Sequence, residues 1–350
     1  MQDDFTRGGN APIETSVETW SREAPDNRNR QRSPGDALEV GLTAVVLSVR
    51  QEQPVVLATP ARISQADAAQ TWHLPADRFI PGTQPSLESA LRDAVANRTG
   101  RELGYLEQLL TDYAPVGVPI APLADDTVSQ LSVSYLALSR ADMAPLAAGA
   151  SWLDCYTLLP WEDYRAGRPD ALVHHVLPGL EAWAEAAEAG PAAGCERETP
   201  MNRRERVAVS FGVGGRSFDD QRVIDRLDLI VEAGLLPAGA ATTIAQGQLR
   251  LVAAGLGRLR AKIRYRPVVF ELLAPEFTLF ELQRTVEAVL GPTLHKQNFR
   301  RLVESTGLVE PTGDLRNNTG GRPAKTFRFR REVLLERPAP GVHVRPGRAA

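Results

Sequence analysis

Between Lys296 and Arg301 the sequence reads KQNFRR, three cations with a glutamine and an asparagine inside six residues. A carboxamide can pair with the N6/N7 edge of adenine and a guanidinium with O6/N7 of guanine. Gln297, Asn298, Arg300 and Arg301 are therefore of the types that read bases in a major groove, and Lys296 is a further candidate for DNA contact. Further on, the stretch GDLRNNTGGRP carries Arg316 and Arg322, with Lys325 and Arg328 just beyond it, where cations on an exposed tip could follow phosphates or enter a minor groove.

Base reading requires these groups on one side of a rigid element. In TLFELQRTVEAVLG, Thr278 can cap a helix, Glu281 completes a capping box, and Gly291 with Pro292 ends it. LHKQNFRRLVESTG predicts a second helix. At about 100° per residue, Phe299, Leu302, Val303 and Thr306 share one face, and Gln297, Asn298, Arg300, Arg301 and Glu304 turn away from it. Two helices across a short Gly-containing turn make a helix-turn-helix. The β-type runs LVEPT and KTFRFRR, joined by a tip rich in Asn and Gly, predict a hairpin after it, which gives the winged plan. Alternation puts Arg328 and Arg330 opposite Phe327 and Phe329, so that pair could equally serve to solvate the hairpin.

The net charge of −3 conceals an asymmetry. Residues 250–350 hold 19 Lys+Arg against 9 Asp+Glu, and residues 1–249 hold 21 against 34, which suggests a polyanionic partner for the C-terminal part. Some of these cations need no ligand. Arg258, Arg260, Lys262, Arg264 and Arg266 gather toward the end of the helix predicted over LRLVAAGLGRLRAKIRYRP, where positive charge favours the helix dipole. Cys155 and Cys195 lack metal-type spacing, so neither a zinc cluster nor a disulfide framework is expected. No apolar run approaches the ~18 residues of a membrane span, and MQDDFTRGGN lacks the pattern of a signal peptide. A cytoplasmic protein without a membrane partner is expected.

Residues 1–36 carry too few clustered apolar groups to repay the entropy of ordering and are expected to form a disordered arm. LEVGLTAVVLSVR and QEQPVVLAT predict paired strands. SLESALRDAVANRTG predicts an amphipathic helix from an N-cap at Ser86 to a stop at Gly100, with Leu87, Leu91 and Val95 on one face. YLEQLLTDYA and VSQLSVSYLALS read as strands, and the segment from Tyr156 through AWAEAAEA as a loop leading into a closing helix. AGPAAGCERETPMN is the best linker, followed by a connecting helix with Val223, Leu227, Ile230 and Val231 at helical spacing. There are no internal repeats. The expected organisation is an arm at 1–36, a first domain at 37–190, a linker and connecting helix at 191–248, a winged helix-turn-helix at 249–338 and a tail at 339–350.

The stretches YRPVVFELL, FTLFELQRTVEAV, HKQNFRRLVE, GLVEPTG and GRPAKTFRFRREVL resemble the C-terminal winged helix of bacterial NAD-biosynthesis regulators of the NadQ type, relatives of the Nudix-related regulators called NrtR. EVGLTAVVLSVR, TGRELGYLEQL and PWEDYRAGRP fit the same family, so the resemblance spans most of Leu38 to Pro338. It implies an α+β chain, with an N-terminal Nudix-like α/β/α sandwich followed by a C-terminal winged helix-turn-helix. It also implies a homodimeric repressor of NAD-biosynthesis genes on a double-stranded DNA operator, responding to an adenine nucleotide such as NAD, ATP or ADP-ribose.

A working Nudix hydrolase needs a Gly, a Glu six residues on, and paired acids on a helix to hold divalent metal. Aligned on Thr99-Gly100, the Arg-Glu pair becomes Asp93-Ala94 and the Glu-Glu pair becomes Asn97-Arg98, leaving Glu88 and Asp93 as isolated carboxylates. The expectation is no catalytic residue, no metal site and no cofactor, with a pocket that binds a nucleotide without hydrolysing it. Candidates for that pocket are Gln108, beside the end of the box helix, and the aromatics Tyr105 and Trp161, which could stack on a base or ribose; residue type alone leaves core packing open for each. Two other functions remain open: a metal-dependent hydrolase of nucleoside diphosphate derivatives, and a non-specific nucleic-acid-binding or scaffold protein.

Overall fold

The computed structural model describes residues 38–60, 72–115, 128–141, 145–188, 201–244, 246–316 and 323–336. The expected arm, the tail, residues 189–200 of the linker with Cys195, and Arg322 lie outside the described residues.

Strand β1 (Leu38–Arg50) turns back into β2 (Gln53–Pro60) through Gln51 and Glu52, whose φ angles of 50° and 62° are both positive. That backbone matches the right-handed twist of the flanking strands. Short strands β3 (Trp72–His73) and β4 (Ala76–Arg78) precede helix α1 (Leu87–Thr99), and β5 (Leu106–Ala114), β6 (Ser129–Leu138) and β7 (Ser151–Asp154) complete a seven-stranded sheet. Its main order is β3-β2-β1-β6-β5, with β4 on β1, β7 on β2, and β1 parallel to β6. Helix α1 begins and ends at the expected residues: the Ser86 hydroxyl accepts from the Ser89 N–H at 3.1 Å, and Gly100 is left-handed at φ 70°.

Helices α2 (Cys155–Leu158), α3 (Leu177–Glu188), α4 (Arg203–Phe211), α5 (Val223–Glu232), α6 (Ala238–Thr243) and α7 (Gln246–Tyr265) follow. Side chains alternate across a strand, so β1 serves both faces of the sheet. Leu42, Ala44 and Val46 pack with Leu91 and Val95 of α1, and Val45 and Leu47 join the core on the other face, where α7 lies. Gly255 in the middle of α7 has a packing reason: a Cβ there would approach Val45 Cγ1 to 2.7 Å. The sheet between helices is the expected α/β/α sandwich. The linker region departs from expectation, because α4, α5 and α6 form where one connecting helix was read. The missed start is a capping box in which Asn202 accepts from the Glu205 N–H at 2.8 Å and Glu205 accepts from the Asn202 N–H at 2.9 Å.

Beneath α7 lies a buried ionic cluster. Glu162, with no exposed surface, takes Arg226 Nε at 2.6 Å on one carboxylate oxygen and Arg260 Nη1 at 2.5 Å on the other. Arg260 Nε also donates to the Val289 carbonyl at 2.9 Å, and the Tyr156 hydroxyl donates to the Ala288 carbonyl at 2.6 Å. Both acceptors sit near the end of helix α8 (Leu279–Leu290), so the cluster fixes the C-terminal module to the sheet domain.

That module opens with β8 (Glu276–Thr278), continues through α8, α9 (Lys296–Thr306), β9 (Val309–Arg316) and β10 (Ala324–Phe329), and closes with α10 (Val333–Glu336). Its three-stranded sheet has the order β8-β10-β9; the short strand β8 lies inside a stretch that the sequence marks only by the Thr278 cap. Among the described residues no helix is long and apolar enough to cross a membrane.

Candidate DNA interface

Helix α8 starts as its capping box requires: Glu281 N–H donates to the Thr278 hydroxyl at 3.2 Å, and Thr278 N–H donates to the Glu281 carboxylate at 2.7 Å. It ends at Gly291, φ 97°, where a Cβ would come within 2.7 Å of the Glu162 carbonyl oxygen. The turn into α9 is then held by a group the sequence reading missed. Buried Glu287 accepts from Gln283 Nε2 at 2.9 Å and from the Leu294 N–H at 2.8 Å, and Gln283 Nε2 also donates to the Leu294 carbonyl at 2.9 Å. A Gln and a Glu four apart on an otherwise apolar helix face were the available signal.

Helix α9 buries Phe299 and Val303 and half-buries Leu302 and Thr306. Lys296, Gln297, Asn298, Arg300 and Arg301 are all exposed, on the side expected for reading bases. Arg300 Nε meets Glu304 at 2.9 Å on the surface, a pair of small energetic value, and Arg301 has no acidic partner among the described residues. A groove of about 660 Å³ runs between α8, the start of α9 and the wing, bordered by Lys296, Arg300, Phe280, Leu315 and Lys325. Helix and wing thus present cations to one concave surface.

The wing residues divide into three groups. Lys325 is exposed on the α9 side. Arg316 braces the hairpin: its guanidinium meets Glu281 at 2.6 Å and the Glu276 carbonyl at 3.0 Å. The expectation for Arg328 needs correction, since it is paired with its cross-strand neighbour Glu310 at 2.6 Å and borders a different cleft, on the side of the sheet domain. Three residues apart on β10, these two cations fall on opposite faces of the strand. Neutralising Lys325 should accordingly reduce the slope of log affinity against log salt by about 1, whereas Arg328→Ala should leave it unchanged. Fluorescence anisotropy on labelled duplex DNA at several salt concentrations measures both.

The total charge of the C-terminal segment overstates its attraction for a polyanion. Arg258 and Lys262 meet Glu107 at 2.7 and 2.9 Å, Arg260 is buried on Glu162, Arg264 meets Asp220 at 2.5 Å, and Arg250 meets Asp228 at 3.0 Å. These cations are engaged by acids of the chain itself, so the charge available to a polyanion is smaller than the total.

The ligand candidates of the first domain also separate. Trp161 is fully buried and cannot stack on a ligand; it is a core residue, which corrects the expectation for it. Gln108 is exposed on edge strand β5, where its Nε2 donates to the Thr111 hydroxyl at 2.8 Å. Tyr105 is half-buried beside the second cleft, and its hydroxyl donates to Glu107; burial together with that carboxylate raises its pKa well above the ordinary value. Glu88 and Asp93 are both exposed, and five residues apart they stand about 140° from each other around α1. Among the described residues no group of three or more His, Cys, Asp or Glu could hold an ion.

Residues 269–329 match the family of the NrtR DNA-binding winged helix domain. Over 79 residues the chain is 42% identical to a protein of Acinetobacter baylyi named ADPR responsive transcriptional repressor NtrR. That match covers 23% of this chain and 31% of the relative, so the chain spans about a third of the length of the curated relative it matches. Among solved structures, Shewanella oneidensis NrtR in complex with a 27mer DNA is 19% identical, covering 84% of this chain and 94% of that one, with a TM-score of 0.48. A MutT/nudix family protein from Enterococcus faecalis is 15% identical, covering 86% and 90%, with a TM-score of 0.48. With its capped first helix, its polar second helix and its three-stranded wing, the C-terminal module of this chain is a winged helix of the NrtR DNA-binding type.

Proposed function

We propose that the protein is a transcriptional regulator, a repressor of NAD-biosynthesis genes, that binds a palindromic operator as a homodimer. The observation that carries this reading is α9: five exposed polar or cationic residues at its N-terminal half, on a helix held from behind by Phe299 and Val303 and set by the Glu287 turn. One winged helix reads only a few base pairs, and a two-fold dimer doubles the interface and matches a palindrome. The family of the C-terminal module and the name of the Acinetobacter baylyi relative support the same reading. In it, residues 37–190 form the sensing domain and 249–338 the DNA-binding unit, with α7 shared between them.

The sheet domain in this proposal senses an NAD-related nucleotide, ADP-ribose being favoured by the name of the relative, and does not hydrolyse it. The exposed and divergent positions of Glu88 and Asp93 support the second half of that statement. A ligand regulates only if it binds two arrangements of the dimer unequally. We expect ADP-ribose to bind in EDTA by calorimetry, to change operator affinity when added to a DNA titration, and to remain intact after incubation with Mg²⁺ or Mn²⁺. Hydrolysis at an enzymatic rate would support the hydrolase function instead, and binding that leaves operator affinity unchanged would remove the sensing role.

A further inference from the structure

A cleft of about 1030 Å³ lies where the sheet domain meets the winged helix. From the sheet side it is bordered by Tyr105 and Glu107 at the start of β5 and by Lys262 and Arg266 at the end of α7; from the winged-helix side it is bordered by Arg328 and Arg331. Its volume is at the upper end of the range of ordinary small-molecule sites, roughly 300–1,000 Å³.

The charges around it are unequally satisfied. Partial burial opposes ionisation of Glu107, but hydrogen bonds from Tyr105, Lys262 and Arg258 outweigh it and lower its pKa. Lys262 is thereby occupied, and Arg328 is paired with Glu310. Arg266 and Arg331 are different: both are exposed, both border the cleft, and neither has an acidic partner among the described residues. They reach it from opposite modules. The apolar lining includes aromatic rings already in contact, with Phe270 stacked on Phe329 at 4.4 Å between centroids and tilted against Phe277 at 5.5 Å. Glu271 is the remaining carboxylate of the lining and offers an acceptor to an amine or a sugar hydroxyl.

Two guanidiniums without an acidic partner among the described residues, an aromatic lining and a carboxylate beyond the engaged Glu107 suit a phosphate group attached to a flat, amine- or hydroxyl-bearing ring system. We propose that this cleft binds a nucleoside phosphate, with Arg266 and Arg331 on the phosphate and the ring against the phenylalanine cluster. It lies on the α7 side of the sheet, away from α1, and is separate from any pocket beside that helix. Because β10 and α10 form one wall and β5 and α7 the other, an occupant ties the wing to the sheet domain, and the site can influence DNA binding. The proposal rests on the regulatory reading above for its consequence but not for its chemistry.

Calorimetry in EDTA with ADP and with adenosine, on the full chain and on Arg266→Ala, Arg331→Ala and the cleft-filling Ala274→Trp, tests it. ADP should bind at least tenfold more tightly than adenosine, and each variant should weaken ADP at least tenfold while keeping the circular dichroism and melting temperature of the parent. Arg266 and Arg331 are surface residues, so their truncation leaves the fold intact. Equal ADP binding by parent and both arginine variants would place the ligand elsewhere and overturn the site while leaving the regulatory function standing. Absence of ADP binding would overturn it as well. Binding that depends on both arginines but leaves the affinity for operator DNA unchanged would uphold the site and remove its regulatory consequence.

Discussion

Glu162→Ala is expected to destabilise the chain by about 3–5 kcal/mol, because it leaves two buried guanidiniums without their shared counter-charge. Arg226 and Arg260 have no exposed surface, and each donates to Glu162 and also to backbone carbonyls, including those of Asp220 and Val289. Neither can turn toward water without abandoning those bonds. Glu162→Gln, which keeps the shape and one acceptor, should fall between the parent and the alanine variant in the midpoint of urea unfolding. The cluster also carries a pH signature. Burial opposes ionisation of Glu162, yet the charges of Arg226 and Arg260 outweigh it and set its pKa below the ordinary 4.5. A carboxyl whose folded pKa is depressed contributes stability that is present above 4.5 and is lost as the pH falls through the folded value. The parent should therefore lose more stability than Glu162→Gln on acidification below about 4.5. Equal pH dependence in the two proteins would show that Glu162 does not titrate with unfolding.

The second large effect concerns specificity. Arg301→Ala and Gln297→Ala should each cost roughly 1–3 kcal/mol of discrimination at particular base pairs while leaving non-specific affinity nearly unchanged, which is the behaviour of a lost bidentate contact. Both side chains are exposed on α9, and Arg301 has no acidic partner among the described residues, so their removal leaves no buried group unsatisfied and the fold stays intact. Binding measured against a panel of single-base operator variants separates the two roles. A uniform loss across the panel would assign either residue to the phosphate backbone.

The winged helix was legible in the sequence because its signals are local. The capping box at Thr278, the stop at Gly291 and the amphipathic pattern of α9 each act within a few residues, and each appears where it was expected. What could not be read depends on partners distant in the chain. Nothing local distinguishes Arg260, buried on a glutamate 98 residues away, from Arg266 on the surface six positions later. The charge excess of residues 250–350 pointed to a polyanion but overstates the cations free to meet one for the same reason, since Arg258, Arg260 and Lys262 of α7 meet Glu107 and Glu162 of the first domain. Trp161 was offered as a ligand residue on type alone, and only the packing reveals it as core. Arg328 was placed among the DNA candidates as a cation near the wing tip, and only the fold shows it paired with Glu310 across the hairpin.

The central claim is that α9 and the wing read a specific DNA sequence. Selection from a randomised duplex library with the purified full chain, near physiological salt, tests it most directly. The expected result is enrichment of one two-fold symmetric motif with half-sites about one helical turn apart, bound by two copies of the chain and lost when Gln297 and Arg301 are both replaced by alanine. Recovery of DNA without any enriched motif, with affinity set by salt alone, would contradict it.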